Sequence, residues 1–242
     1  GSDDLYLYEK LFINQYALEL LILEKTFADP NDSESKILES QALAGAIVIM
    51  KGQESISPAD GKLLFMLEAE TDYKLLVSKP DYFNKSISFS TKGLRSPDSL
   101  LITLFKEVEL EKIFPEKEIV IQNIYYDYDK ATLRQESLPI LDQLVSFFDE
   151  NKDLTIEIGS HTDSRGSDKY NKDLSQRRAQ SVVDYFITKG VPSAQLSAKG
   201  YGESKLINRC ANGVTCDEEE HQKNRRTTFR VISSDGILES GK

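Results

Sequence analysis

Histidine occurs only twice, at His161 and His221, and cysteine only twice, at Cys210 and Cys216. An enzyme needs a nucleophile–base pair or a metal centre, and so few imidazoles and thiols leave little from which to build either. Cys210, Cys216 and His221 are spaced C-x5-C-x4-H, which matches no common structural zinc pattern. His161 lies two residues before Asp163, yet no third group at motif spacing completes a triad. A glycine-rich phosphate loop of either common type is also missing. These absences point away from catalysis, and from any metal or cofactor. Positive charge is short as well: Lys and Arg number 30 against 40 Asp and Glu, a net charge of -10. A polyanion would be repelled, so nucleic acid is a poor partner. No apolar run approaches the roughly 18 residues that span a bilayer. The start, Gly1-Ser2-Asp3-Asp4, has neither a basic n-region nor an apolar h-region. Residues 1–16 read as an extension or expression remnant, and any membrane association is expected only through upstream parts of a longer parent.

The charge that is present is uneven. Residues 1–120 hold 13 bases and 21 acids, and residues 121–242 hold 17 and 19, which supports a boundary between two chemically different halves. In the first half, turn signals such as Asp29-Pro30-Asn31-Asp32, Pro58-Ala59-Asp60-Gly61 and Lys79-Pro80-Asp81 separate short apolar runs. The spacing predicts strands over 17–27, 38–51, 63–69, 73–78, 84–90 and 99–111, an all-β sandwich. Ile87 and Phe89 alternate with polar residues and are expected on one face. A helix over 4–20 is the weaker alternative there.

In the second half the period changes. A strand is predicted over 121–126, then a helix within 131–150 carrying Leu138, Leu141, Leu144, Val145 and Phe148, then a strand over 154–158. A second helix over 171–189 has Leu174, Val182, Val183, Phe186 and Ile187 as its apolar stripe, Asn171 as N-cap and Gly190 just past its end. Strands over 196–201 and 227–232 complete four, a βαβα-type α/β sandwich. The acidic run Glu218-Glu219-Glu220 reads as a solvated helix start, where acids suit the N-terminal dipole.

Asp163 sits in the loop between a strand and the second helix, a usual place for a ligand in α/β folds. Leu174 and Arg178 are four apart and share a helix flank, so Arg178 is expected to face the packed side. A cation there needs an anionic partner. From these residues two readings stand: an Asp163–Arg178 salt bridge pinning loop to helix, or a receptor for a ligand that carries both an ammonium and a carboxylate. Arg177 reads as a solvated neighbour. Cys210 and Cys216 lie in one short loop, where two chance thiols or a local disulfide are the options, the disulfide fitting better.

Two resemblances sharpen this. Leu43-Ala44-Gly45-Ala46-Ile47-Val48, Asp60-Gly61-Lys62, Asp72-Tyr73-Lys74-Leu75 and Asp81-Tyr82-Phe83 resemble carboxypeptidase-regulatory-like domains over residues 17–113. That resemblance implies a small immunoglobulin-like or transthyretin-like sandwich serving as spacer or docking module. The run Thr162-Asp163-x-x-Gly166-x-x-x-Tyr170-Asn171-x-x-Leu174-Ser175-x-x-Arg178-Ala179 resembles the signature of OmpA-like peptidoglycan-binding domains. Tyr125-Tyr126-Asp127-Tyr128-Asp129, Gly200-Tyr201-Gly202-Glu203-Ser204 and Asn224-Arg225-Arg226 fit it too, over 119–234 with a tail at 235–242. This second resemblance implies non-catalytic capture of the cell-wall stem peptide, with Asp163 facing the ammonium of diaminopimelate and Arg178 its carboxylate. It further implies Thr162, Asn171, Tyr126, Asp127 and Arg225 near the peptide, and a disulfide in the 207–223 insert of a periplasmic protein.

The domain order is similar to the C-terminal part of outer-membrane lipoproteins, among them a component of the type IX secretion apparatus. It implies a place on the periplasmic side of the outer membrane. A scaffold whose sandwich docks another envelope or secretion-complex protein is the alternative function.

Overall fold

A computed structural model describes residues 14–28, 36–96, 100–115, 117–126 and 129–234, which divide into two compact units between Lys112 and Ile113.

Unit 1 is built from two sheets. In the first, β1 (Gln15–Glu24) is central. One edge pairs in parallel with β8 (Leu101–Leu110), from Gln15↔Leu101 to Glu24↔Leu110. The other edge takes β5 (Lys62–Leu67), antiparallel from Tyr16↔Leu67 to Leu21↔Lys62, and then the two-residue β2 (Gln41–Ala42). The second sheet runs β4-β3-β6-β7, all antiparallel: β4 (Gln53–Ile56), β3 (Ile47–Met50), β6 (Asp72–Ser78) and β7 (Lys85–Ser90). Side chains of a strand alternate faces. Tyr16, Leu18, Leu20 and Ile22 therefore meet Val48, Met50, Tyr73, Leu75, Val77, Val108 and Leu110 in one buried cluster, with Ile87 and Phe89 packed against it as the alternation predicted.

The predicted strand over 38–51 is instead β2, a turn with Gly45 at φ +73°, and β3. A further strand, β4, went unpredicted. It follows a two-residue hairpin turn in which Lys51 and Gly52 both have positive φ (49° and 76°). That geometry matches the strand twist, and X-Gly is its sequence mark. The helix considered over 4–20 is contradicted from Gln15 on, where β1 runs; its earlier residues, like the turn at Asp29-Pro30-Asn31-Asp32, lie outside the described residues.

Unit 2 is a mixed α/β sandwich. Its sheet order is β11-β10-β12-β9, with β10 (Leu154–His161) parallel to β11 (Leu196–Gly202) and antiparallel to β12 (Thr227–Ser234), which pairs antiparallel with β9 (Ile119–Ile121). The helices are α1 (Leu138–Glu150), α2 (Asp168–Thr188) and the short α3 (Glu218–Asn224). Phe148 of α1 meets Phe186 of α2 edge to face at 4.9 Å, and Leu141, Ile156, Ile158, Ala179 and Val182 are fully buried. Ile187, expected in the stripe, is exposed.

Three local details set the site. The strand predicted over 121–126 stops at Ile121, because Asn123 at φ 61° breaks the extended path; Tyr126 then makes only an isolated bridge to Leu133. Helix α2 starts a turn earlier than expected. Its N-cap is Ser167, whose hydroxyl accepts from the Tyr170 N–H, so Asn171 is freed from capping. Finally, β11 touches α2 at Gly200: a Cβ there would lie 2.2 Å from the Gln176 nitrogen. Gly200 N donates to Gln176 Oε1 (2.8 Å) and Gly202 N to Ser175 Oγ (2.8 Å), which holds α2 and the Arg178 it carries at a fixed height on the sheet.

Candidate functional site

Asp163 follows the end of β10 and is 5% exposed. Its Oδ1 accepts the backbone N–H of Arg165 (3.0 Å), a turn within the loop. Its Oδ2 accepts from Arg165 Nε (3.2 Å), Arg165 Nη2 (2.7 Å) and Arg225 Nη1 (2.5 Å). Burial alone would raise this carboxyl, but the hydrogen bonds from the two arginines outweigh it and hold the group below its ordinary value. Both arginines also reach Glu218 on α3, Arg165 Nη1 to Oε2 at 2.9 Å and Arg225 Nη2 to Oε1 at 2.6 Å. Two carboxylates and two guanidinium groups thus close a ring of zero net charge.

The Asp163–Arg178 salt bridge is therefore not what forms. Arg178 is 8% exposed and donates from Nε to the Lys130 carbonyl (3.0 Å). Its guanidinium lies over the Tyr126 ring at 4.8 Å. Among the described residues, no carboxylate comes within ion-pair distance of it. Burial lowers its pKa, but an arginine stays charged at neutral pH. A buried cation is held here by one carbonyl and one aromatic face, with both Nη groups facing no anion of the described chain.

The remaining residues divide between site and support. The Tyr126 hydroxyl meets Thr227 Oγ1 at 3.0 Å, and burial raises its phenol above the ordinary value. Thr162 donates its backbone N–H to the Gly202 carbonyl (2.9 Å), while its buried Oγ1 has no hydrogen-bond partner among the described residues. Asn171 donates from Nδ2 to the Asp163 carbonyl (3.2 Å) and to Glu203, bracing the loop against β11. Arg225 was expected as an anion contact for a ligand; it serves as a partner of Asp163, Glu218 and Gln222. Asp127 lies outside the described residues.

Sequence reading missed Arg165 and Glu218. Arg165 stands two residues after Asp163, where an Asx-type turn brings it back on the carboxylate, and that was the available signal. Glu218 carried no such mark and was read only as a solvated helix start. It does open α3, whose Asp217 N-cap and Glu220 form a reciprocal capping box.

His161 takes no part in this ring. It is fully buried, stacked flat on Tyr201 at 4.9 Å, with Nε2 near Thr228 Oγ1 (3.4 Å) and Glu118 (3.6 Å). Burial, helped by the Arg226 charge, pushes its pKa down to about 4, so it is neutral at pH 7. Cys210 and Cys216 form a disulfide across Cα atoms 5.8 Å apart, which rules them out as zinc thiolates.

Residues 125–220 match the model of the OmpA family. Outer membrane protein A of Escherichia fergusonii is 45% identical over 119 residues, 48% of this chain and 46% of that protein. The protein of the same name from Shigella flexneri is 45% identical over 119 residues, 48% of this chain and 32% of that one. The chain thus spans less than half the length of these curated relatives. Among solved structures, the peptidoglycan-associated lipoprotein from Burkholderia pseudomallei aligns with 28% identity and a TM-score of 0.40, covering 45% of this chain and 87% of that one. The sequence motif and the matched family fall on the same stretch, and residues 125–220 are an OmpA-like domain.

Proposed function

We infer that this protein binds cell-wall peptidoglycan without catalysis and so anchors an envelope protein on the periplasmic side of the outer membrane. The observation that carries this reading is Arg178: a buried guanidinium kept charged with no carboxylate partner among the described residues. Burying an unpaired charge costs several kcal/mol, so a site that keeps one is built for an incoming anion. The carboxylate of a diaminopimelate stem peptide supplies that anion, and its ammonium goes to Asp163. The unpartnered Thr162 Oγ1 supplies a further polar contact, and Asn171 and Tyr126 hold the two sides in place. Each hydrogen bond to an ionised group is worth about 1.5–3 kcal/mol, which makes single sites reversible and leaves tight attachment to many sites on one polymer.

Calorimetric titration with a diaminopimelate-containing muropeptide tests the reading. Saturable binding to the wild type that Arg178→Ala and Asp163→Ala remove, with the fold intact, is the expected result. Absence of heat together with no retention on intact wall would sink it.

One observation favours a second role, compatible with the first. On the outer face of the first sheet, Leu64, Met66 and Phe105 are 63–70% exposed, and Leu64 and Phe105 flank Glu19 in register. An exposed apolar row of this kind suits a docking module. It supports the reading of unit 1 as an immunoglobulin- or transthyretin-like scaffold, of the carboxypeptidase-regulatory type, that meets another protein of an envelope or secretion complex. Replacing all three residues by serine should then lower co-purification of that partner and leave wall binding unchanged.

A further inference from the structure

The ring around Asp163 creates a conflict with a ligand ammonium. An ionised carboxylate offers about four lone-pair sites. Asp163 has four N–H donors already, three of them on Oδ2. A ligand cation finds Oδ2 fully taken, a single acceptor position left on Oδ1, and no net negative charge, since Arg165, Arg225 and Glu218 complete a neutral circuit. One guanidinium must leave before an ammonium can pair with Oδ2.

The two arginines are not equally held. The Arg225 side chain is 22% exposed and has a further bond from Nε to Gln222 Oε1 (3.1 Å). The Arg165 side chain is 54% exposed, and its second partner, Glu218, is 66% exposed. Water replaces exposed ion pairs at little cost, whereas a half-buried guanidinium with three partners is costly to strip. The Arg165 backbone N–H is independent of its side chain and keeps its bond to Oδ1, so Asp163 retains its orientation when the guanidinium departs.

We propose that the Arg165 side chain is a latch on the peptide site: it occupies the Asp163 Oδ2 positions in the free protein and yields them to an ammonium group of the incoming ligand. The inference rests on the wall-binding reading above and adds a specificity rule to it. Opening exchanges one cation for another on a single carboxylate, so net charge at Asp163 is preserved. A ligand with a carboxylate but no ammonium still reaches Arg178, yet it does not displace the latch. The latch thereby lowers the affinity for zwitterionic head groups and leaves that for simple acids unchanged. The occupied state lowers the apparent affinity by the fraction of molecules that are open.

The test is titration of wild type and Arg165→Ala with a diaminopimelate-containing muropeptide, and with the same peptide acetylated on the side-chain ammonium. Arg165→Ala should bind the free-amine peptide about five- to tenfold more tightly than the wild type. It should bind the acetylated peptide no more tightly. Arg165→Lys, which cannot bridge both carboxylates with a forked group, should fall between. Equal or weaker binding of the free-amine peptide by Arg165→Ala, while wild-type binding is still lost in Arg178→Ala, overturns the latch and leaves the wall-binding reading standing. No binding by any form overturns both. A second readout is the side-chain Nε–H resonance of Arg165 in the wild type. It should move to a solvent-exchanging position on saturation while that of Arg225 stays, and an unmoved Arg165 signal overturns the proposal without relying on a variant.

Discussion

Asp163 and Arg178 stand 15 residues apart on one loop and the helix that follows it, and their surroundings are opposite. Asp163 is paired with two guanidinium groups on Oδ2; Arg178 has a carbonyl, an aromatic ring and no anion among the described residues. Half of the site is closed on itself and half is open. Buried charge in a protein is normally paired, hydrogen-bonded or neutralised, and unit 2 shows the contrast at three positions: Asp163 is paired, His161 gives up its charge, and Arg178 keeps a charge without a counter-ion among the described residues. Only the last leaves an interaction for a ligand to complete.

His161 provides the largest expected effect on this comparison. Its pKa is near 4 in the folded unit and about 6.5 when unfolded. The unfolded chain therefore binds the extra proton first. Stability contributed by the neutral ring is complete above about pH 6.5 and is lost as pH falls towards 4, by up to about 3 kcal/mol. Denaturant titrations of unit 2 across that range should show the decline. His161→Phe, which keeps the stack on Tyr201, should flatten it. The lowered carboxyls of Asp163, Glu157 and Glu118 lose their contribution only at lower pH, as it falls from their unfolded values through their depressed folded ones. The two windows are thus separable.

Next in size is the open half. Arg178→Ala should weaken muropeptide binding roughly 10- to 100-fold, the equivalent of one charge-assisted interaction. Arg178→Met should weaken it similarly and yet unfold within about 1 kcal/mol of wild type, because an apolar chain of that shape gives up one bond to Lys130 and removes a desolvated charge. A large destabilisation in Arg178→Met, measured by urea unfolding, would break the contrast by showing a structural partner for that guanidinium.

The closed half is tested by comparing its two arginines. Arg225→Ala should destabilise unit 2 by about 2 kcal/mol, since it strips the buried Asp163 of a partner. Arg165→Ala should cost less than about 1 kcal/mol, in line with its exposure. Equal losses in thermal unfolding would mean that the ring has no weak member. Smallest is the helix start: Ser167→Ala removes the cap of α2 and should cost about 1 kcal/mol, while Asn171→Ala should disturb the loop and not the helix end.

Much of unit 2 was legible before its structure. Apolar spacing located both long helices, and the Thr162-Asp163 loop and the Leu174–Arg178 flank pointed to the two buried charged side chains of the candidate site. Legibility failed where geometry is not periodic. Asn171 has the chemistry of a cap, but the chain offered Ser167 one turn earlier, and the freed amide became a brace between the Asp163 loop and Glu203. The strand over 121–126 was read from β-prone residues, and one left-handed residue, Asn123, was enough to end it and turn Tyr126 towards Arg178. In unit 1, alternation located the core, while the turn at Gly45 divided a run over 38–51 that looked continuous.

The amino-acid order by itself determined the helical spacing that turns Arg178 inward and the polar loop that presents Asp163. Those are local properties, set by side-chain type and by the 3.6-residue period. Arg165 reaches Asp163 through a local turn, whereas the second cation on that carboxylate was decided only by the tertiary structure. Arg225 arrives from 62 positions away, just past the end of α3, and Glu218 comes with it. Ion pairing depends on distance in space, and a buried carboxylate takes the donors that folding brings within about 3 Å, whatever their separation along the chain.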